Sequence, residues 1–328
     1  MTAMSLQIGD QFDRYQIRAP MAQGGMGSIY RAVDVTTGQE VAVKIPDPTM
    51  IGDPAQYERF QRELDVMKTL HHPAIQHGVA SGQFNRMPFL VTELVEGESM
   101  RKWLQAHAPV PPDEAVALVR KIADAVAFCH ENNVIHRDLK PENILITADG
   151  QPVIIDFGLA LTKSAMRVTY SNLSSAAGTP EYMAPEQVDG QRGDQRTDLY
   201  ALGIMFYELL AGKPPFTGDT PLAIMAQHTR APIPRLDQAQ PGVSPQLAAI
   251  VARCLQRDPA QRYPDLRAFI AALDHPETAD LTILERGTGA ASAVPFWRSP
   301  RAAMIVSVML IILAVVVLAF AAQALHAR

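Results

Sequence analysis

A string of polar residues between a helical pattern and a short apolar run carries the strongest chemical signal in the chain. It runs from His136 to Asn143 and reads His-Arg-Asp-Leu-Lys-Pro-Glu-Asn. Asp138 can accept the proton of a hydroxyl group, Lys140 can neutralise a moving phosphoryl group, and Asn143 can hold Mg²⁺ through its amide oxygen. The order of these side chains predicts transfer of a phosphoryl group to a hydroxyl.

A second acidic group follows at the end of the next apolar run, Val153–Ile155. Asp156 opens the tripeptide Asp156-Phe157-Gly158, and a carboxylate at a strand end can hold a metal ion on triphosphate oxygens. The tripeptide alone is weak, but its order after Asn143 makes it specific. Asn143 and Asp156 are therefore the predicted metal ligands, with ATP and Mg²⁺ as cofactors and Mn²⁺ as a substitute ion.

Two further features of the first half suit a nucleotide. Lys44 ends the β-type run Val41–Lys44, and the amphipathic pattern Ala55–Leu70 offers Glu58 or Glu63 as its ionic partner. Glycines between Gln23 and Ser28 let backbone N–H groups approach phosphates, although a glycine-rich hairpin without a ligand is also common.

The patterns around these residues change near the middle of the chain. Short β-type runs come first: Tyr15–Ala19, Ser28–Asp34, Glu40–Ile45 and Met87–Glu93. Helical patterns follow: Glu114–Asn132, Asp198–Gly212, Pro221–Gln227, Pro245–Leu255 and Asp265–Leu273. This order predicts a small sheet-rich lobe, a larger helical lobe and a ligand in the cleft between them.

The ordered set of motifs, ending in Ala184-Pro185-Glu186, resembles the bacterial members of the eukaryotic-type Ser/Thr protein kinases. The resemblance covers residues 12–272. It implies an α+β, bilobal protein-kinase fold, with an N-lobe at about 12–93, a C-lobe at about 96–272 and MgATP between them. It also favours Glu63 over Glu58 as the partner of Lys44.

Further roles are implied residue by residue. The catalytic set would be Asp138, Lys140, Lys44 and Glu63. The ATP-binding set would be Ala22, Gly24, Gly25, Gly27, Ile29, Ala42, Lys44, Thr92, Glu93, Val95 and Leu145. The structural supports would be His136, Arg137, Phe157, Thr179, Glu186, Asp198 and Arg262, with Arg262 ion-paired to Glu186 and Asp198 bracing the catalytic loop.

One position departs from the family pattern, because Ala22 stands where the glycine-rich loop usually has its first glycine. A methyl group there would disfavour a loop residue with positive φ by about 1 kcal/mol, which we expect to leave activity intact. Ala22 is the only support for the first alternative, a membrane-anchored pseudokinase scaffold. A second alternative, a kinase-like enzyme acting on a small molecule, conflicts with the Ala-Pro-Glu and Gly-Thr-Pro-Glu segments.

Lys140 and the segment Gly178–Glu181, which includes Thr179, resemble the Ser/Thr form of the family rather than the Tyr form. The resemblance also implies that Arg137, which precedes the catalytic Asp, binds a phosphate on the loop between Asp156 and Glu186, and this predicts activation by autophosphorylation. The candidate phosphorylation sites are Thr169, Ser171, Ser174 and Ser175.

The C-terminal part predicts a membrane anchor. Residues 302–322 are apolar apart from Ser307. A helix of about 20 such residues spans the ~30 Å hydrocarbon layer of a bilayer. Residues 274–301 are expected to be a juxtamembrane linker and 323–328 a short tail. Arg298 and Arg301 favour a cytoplasmic kinase domain on a single-pass protein of the inner or plasma membrane. Crowding there would favour a homodimer for trans-autophosphorylation.

Composition limits the remaining classes of function. The chain is 48% hydrophobic and 19% charged with a net charge of −5, which supports a packed core and gives no support for a nucleic-acid partner. The kinase resemblance implies protein substrates as partners, and the apolar segment 302–322 implies the lipid bilayer. Cys129 and Cys254 lie in apolar helical patterns and are expected to be buried and reduced.

Overall fold

The fold was analysed in a computed structural model, which describes residues 6–24, 27–46, 68–84, 87–155 and 180–285. Its first part is one antiparallel sheet of six strands in the order β1-β2-β3-β4-β6-β5. The strands are β1 (Gln11–Phe12), β2 (Tyr15–Gly24), β3 (Gly27–Asp34), β4 (Glu40–Pro46), β5 (Gly78–Phe84) and β6 (Met87–Glu93). A small sheet of β7 (Glu98–Ser99), β8 (Ile144–Ile146) and β9 (Pro152–Ile154) follows.

Alternating side chains of the large sheet form the first of two cores. Phe12, Tyr15, Ile17 and Phe89 are buried there, and Phe12 packs edge-on to Phe89 with ring centroids 5.2 Å apart. Burial alternates along β3, as expected for a sheet with one buried face, whereas the consecutive residues Val41–Val43 of β4 are all buried.

Helices build the second and larger core. Their bounds are α1 (Met100–His107), α2 (Pro112–Glu131), α3 (Pro185–Val188), α4 (Gln195–Ala211), α5 (Pro221–Arg230), α6 (Leu236–Ala239), α7 (Pro245–Cys254), α8 (Leu266–Asp274) and α9 (Thr282–Glu285). Helix α4 is buried on nearly every face, because α2, α7 and α6 pack around it. Cys129 and Cys254 are free and buried in this core, as expected.

Side-chain caps fix where these helices begin. Asp194 accepts a hydrogen bond from the backbone N–H of Arg196 at the start of α4, and Ser244 does the same for Leu247 at the start of α7. Helix α4 ends at Gly212, whose φ of 76° is the left-handed conformation that glycine adopts at little cost. The sequence places the start of α4 at Asp198, three residues late.

Several predicted bounds need correction. Strand β2 continues to Gly24 rather than ending at Ala19, and β5 and α1 were not predicted from the sequence. Part of the expected linker 274–301 is folded, because residues 276–278 form a 3-10 turn and α9 buries Leu284 in the helical core.

The membrane helix expected at 302–322 lies outside the described residues. In the ranges that are described, no helix combines the length and apolar character needed to cross a bilayer.

Candidate active site

Asp138 lies in the loop between α2 and β8 and shares one carboxylate oxygen between two donors. Lys140 Nζ lies 2.8 Å from Asp138 Oδ2, and Asn143 Nδ2 donates to the same oxygen at 3.2 Å. Asn143 Nδ2 also donates to the Asp138 carbonyl at 2.8 Å. The three polar side chains predicted from the sequence therefore form one cluster, and Asp138 stays partly open with 22% of its side chain exposed.

The amide of Asn143 fits a hard cation. Its nitrogen is committed to the two Asp138 oxygens, which leaves the amide oxygen as the atom able to bind Mg²⁺. The second predicted ligand, Asp156, lies outside the described residues, and the described residues alone hold no cluster of three His, Cys, Asp or Glu side chains suited to a metal.

Asp198 on α4 stabilises the catalytic loop through hydrogen bonds to its backbone. Its carboxylate accepts the backbone N–H groups of His136 at 2.8 Å and Arg137 at 2.7 Å, and His130 Nε2 lies 2.7 Å away. Burial acts to raise the pKa of Asp198, but the hydrogen bond and charge of His130 outweigh it and hold that pKa below its ordinary value. The carboxylate therefore remains ionised and keeps its donors.

Arg137 has a backbone conformation that needs such support. Its φ is 63°, a left-handed value that costs a residue other than glycine about 1 kcal/mol or more. Asp198 binds its N–H, and Gln187 Nε2 donates to its carbonyl at 2.9 Å from α3. These two contacts fix the turn that leads into Asp138.

Several of the predicted ATP-binding residues lie on the neighbouring strands β4 and β6 of the large sheet. Ala42 pairs with Thr92 between β4 and β6, and both side chains are buried, while Lys44 is half-buried two register pairs further along. Glu93 ends β6, and its carbonyl accepts Gln76 Nε2 at 2.9 Å, which ties the connection between the lobes to the sheet. Leu145 lies on β8, and Val95 follows in the half-buried connection.

The glycine-rich segment is the hairpin between β2 and β3. Ala22 pairs with Ile29 and Gly24 with Gly27, and Gly27 has a φ of 129° that favours glycine. Ala22 follows a register shift in the pairing of β2 with β3, but its φ is not positive, so the backbone strain considered for this position does not arise. Gly25 lies outside the described residues.

Glu186 and Arg262 form the expected buried ion pair. The guanidinium donates to both carboxylate oxygens, at 2.8 and 2.7 Å, with side-chain exposures of 0% for Arg262 and 6% for Glu186. Thr197 Oγ1 donates to the same carboxylate at 2.8 Å, so α3 is held against the start of α4.

The remaining predicted positions lie outside the described residues. These are Glu63, Asp156, Phe157, Thr179 and the candidate phosphorylation sites Thr169, Ser171, Ser174 and Ser175.

Two supports of the loop were not found from the sequence. His130 lies six residues before His136 on α2, and Gln187 directly follows Glu186. Both look like ordinary polar helix residues, so only the spatial contacts reveal that they hold the loop.

Comparison with known proteins gives the family. A model of the protein kinase domain matches residues 15–276. The Serine/threonine-protein kinase PknL of Mycobacterium tuberculosis is 39% identical over 261 residues, covering 80% of this chain and 65% of that protein. The Serine/threonine-protein kinase PknB of the same organism is 34% identical over 301 residues, covering 88% of this chain and 48% of that protein.

Solved structures agree with the described fold. The crystal structure of the Mycobacterium tuberculosis PknI kinase domain matches with a TM-score of 0.65 and 27% identity, covering 83% of this chain and all of that one. The chain belongs to the protein kinase domain family. It spans 65% of the PknL relative's length, slightly less than two thirds.

Proposed function

We propose that the chain is a Ser/Thr protein kinase that transfers the γ-phosphoryl group of ATP to hydroxyl groups of proteins. The observation that carries the proposal is the cluster of Asp138, Lys140 and Asn143 on a loop braced by Asp198. The names of the PknL and PknB relatives support the choice of Ser and Thr.

Each residue of the cluster has a separate task in this reaction. Asp138 orients the acceptor hydroxyl and takes its proton, and Lys140 neutralises charge on the phosphoryl group in transit. Asn143, with Asp156, would hold Mg²⁺, which supplies charge neutralisation on the triphosphate when bound. Lys44, paired with Glu63, would orient the α- and β-phosphates.

Phosphoamino acid analysis tests the acceptor class. The full chain in detergent micelles is incubated with radiolabelled ATP, Mg²⁺ and a generic protein substrate. Label in phosphoserine and phosphothreonine is the expected result. Label confined to phosphotyrosine would contradict the proposed acceptor, and no transfer at all would favour a pseudokinase scaffold.

The proposal extends to regulation by autophosphorylation. Arg137 is held by Asp198 and Gln187, and a phosphate of roughly −2 charge on Thr169, Ser171, Ser174 or Ser175 would bind its guanidinium. Mass spectrometry after incubation with MgATP should find phosphate on this segment. Full activity without any such phosphate would contradict the regulatory role.

We also propose a single-pass anchor at 302–322 with the kinase domain in the cytoplasm. Its support is the apolar sequence and the flanking Arg298 and Arg301. The full chain should remain with membranes after a carbonate wash, and a chain truncated after Arg298 should be released. Equal release of both would contradict the anchor.

A further inference from the structure

One guanidinium connects three elements beside the active site. Arg101 on α1 donates to Glu142 Oε1 at 2.8 Å, to Glu208 Oε1 at 2.7 Å and to the hydroxyl of Tyr182. The Tyr182 hydroxyl in turn donates to Glu208. We call these four side chains the Arg101 network: Arg101, Glu142, Tyr182 and Glu208.

Arg101 and Tyr182 keep their protons near neutral pH. Burial acts to lower the pKa of Arg101, but hydrogen bonds to Glu142 and Glu208 outweigh it and raise that pKa well above its ordinary value. Burial and the nearby Glu208 carboxylate raise the pKa of Tyr182. Arg101 therefore stays charged and Tyr182 keeps its proton, so the hydrogen bonds persist through the working range of the protein.

The network joins the catalytic loop to the segment that follows the activation loop. Glu142 lies in the 3-10 turn Pro141–Asn143, between Lys140 and the predicted metal ligand Asn143. Tyr182 ends the 3-10 turn that begins at Pro180, directly after Thr179, which is one of the predicted structural supports. Glu208 lies on the buried helix α4, which packs against the Pro180–Tyr182 turn, while the Pro141–Asn143 turn packs against α1, the helix that carries Arg101.

We propose that Arg101 is a positioning residue for phosphoryl transfer, which sets the catalytic loop against the turn Pro180–Tyr182. The inference rests on the proposed kinase activity. A planar guanidinium can satisfy three acceptors at fixed angles, whereas a lysine ammonium is a single flexible point charge. The charge alone is therefore insufficient for the positioning.

Steady-state kinetics of the full chain in detergent micelles test the role with Arg101→Met and Arg101→Lys. Misplacing reacting groups by about 1 Å costs on the order of 100-fold in rate, so Arg101→Met should lower kcat for protein phosphorylation by roughly 10- to 100-fold. The KM for ATP should change less than about threefold, because the nucleotide contacts lie on other elements. Arg101→Lys should recover the melting temperature but not kcat.

Matched variants separate positioning from folding. Arg120→Met removes an exposed arginine that pairs with Asp274 at 2.9 Å, and its kcat should equal that of the wild type. If Arg101→Met does not fold, the double variant Arg101→Met/Glu208→Gln removes the buried charge and should fold with low kcat.

Two results would overturn the role of Arg101 while leaving the proposed kinase activity intact. One is a wild-type kcat in a folded Arg101→Met variant, and the other is recovery of both kcat and stability in Arg101→Lys. A wild-type chain that transfers no phosphate would overturn the proposed function and this inference with it.

Discussion

Single carboxylates in this molecule organise several donors at once. Asp138 binds Lys140 and Asn143 through one oxygen, and Asp198 binds two backbone N–H groups and His130. Such charge-assisted bonds are stronger and more directional than neutral ones. Removing one carboxylate therefore releases several groups, and the consequences depend on how deeply they are buried.

The Glu186–Arg262 pair should be essential for stability. Arg262→Met leaves the buried Glu186 carboxylate without its guanidinium, and breaking a buried pair in this way costs about 3–5 kcal/mol. Arg267→Met is the matched control, because Arg267 pairs with Glu131 at 2.8 Å with both side chains about half exposed, and it should cost under ~1 kcal/mol. Denaturant unfolding measures both. Equal losses would contradict the role of the buried pair.

His228 should make stability depend on pH. Burial lowers its pKa from 6.5 to about 4, and its Nδ1 lies 2.8 Å from the Tyr200 hydroxyl. Between pH 6.5 and about 4, His228 binds a proton in the unfolded chain but not in the folded chain. The contribution of neutral His228 to the free energy of unfolding is therefore complete above about pH 6.5 and is lost as the pH falls toward 4.

Melting temperatures between pH 4 and 7 test the His228 prediction. His228→Gln should flatten the decline, whereas the exposed His275→Gln should leave it unchanged. An identical decline in the wild type and in His228→Gln would show that other groups cause it.

At the scale of elements, close helix contact constrains one position strongly. A Cβ at Gly203 of α4 would lie 2.6 Å from Cys254 Cβ of α7 and 3.1 Å from a Leu255 side-chain carbon. Elsewhere in a helix, replacing glycine by alanine gains about 1 kcal/mol. Here Gly203→Ala should instead cost roughly 1–3 kcal/mol through overpacking, and Gly203→Ser should cost more. Unfolding that shows a gain for Gly203→Ala would contradict the tight α4–α7 contact.

Helices and strands with a strong hydrophobic pattern were predictable from the sequence, and those with a weak pattern were not. Met87–Glu93 has the predicted bounds because its apolar residues continue without a turn signal. Strand β5 was missed because Gly78 and Gly82 dilute its pattern, and it is stabilised by pairing with β6. Helix α1 has eight residues and buries only Met100 and Leu104, too few for a clear helical period.

At the scale of the whole molecule, the site depends on contacts between distant parts of the chain. The types of Asp138, Lys140 and Asn143 predicted their chemistry, because they lie close in sequence. The pairing of Asp198 and of Arg262 was predicted only through the family resemblance. His130 and Arg101 were missed, because their partners lie 68 and up to 107 positions away and no local pattern records such contacts.

The most direct test of the central claim is Mg²⁺-dependent phosphate transfer by the full chain, compared between the wild type and Asp138→Asn. The amide keeps the shape of the side chain but cannot take the acceptor's proton, so transfer should fall by roughly 10²- to 10⁴-fold with ATP affinity retained. Equal transfer by both proteins would contradict the assignment of Asp138 and the mechanism built on it.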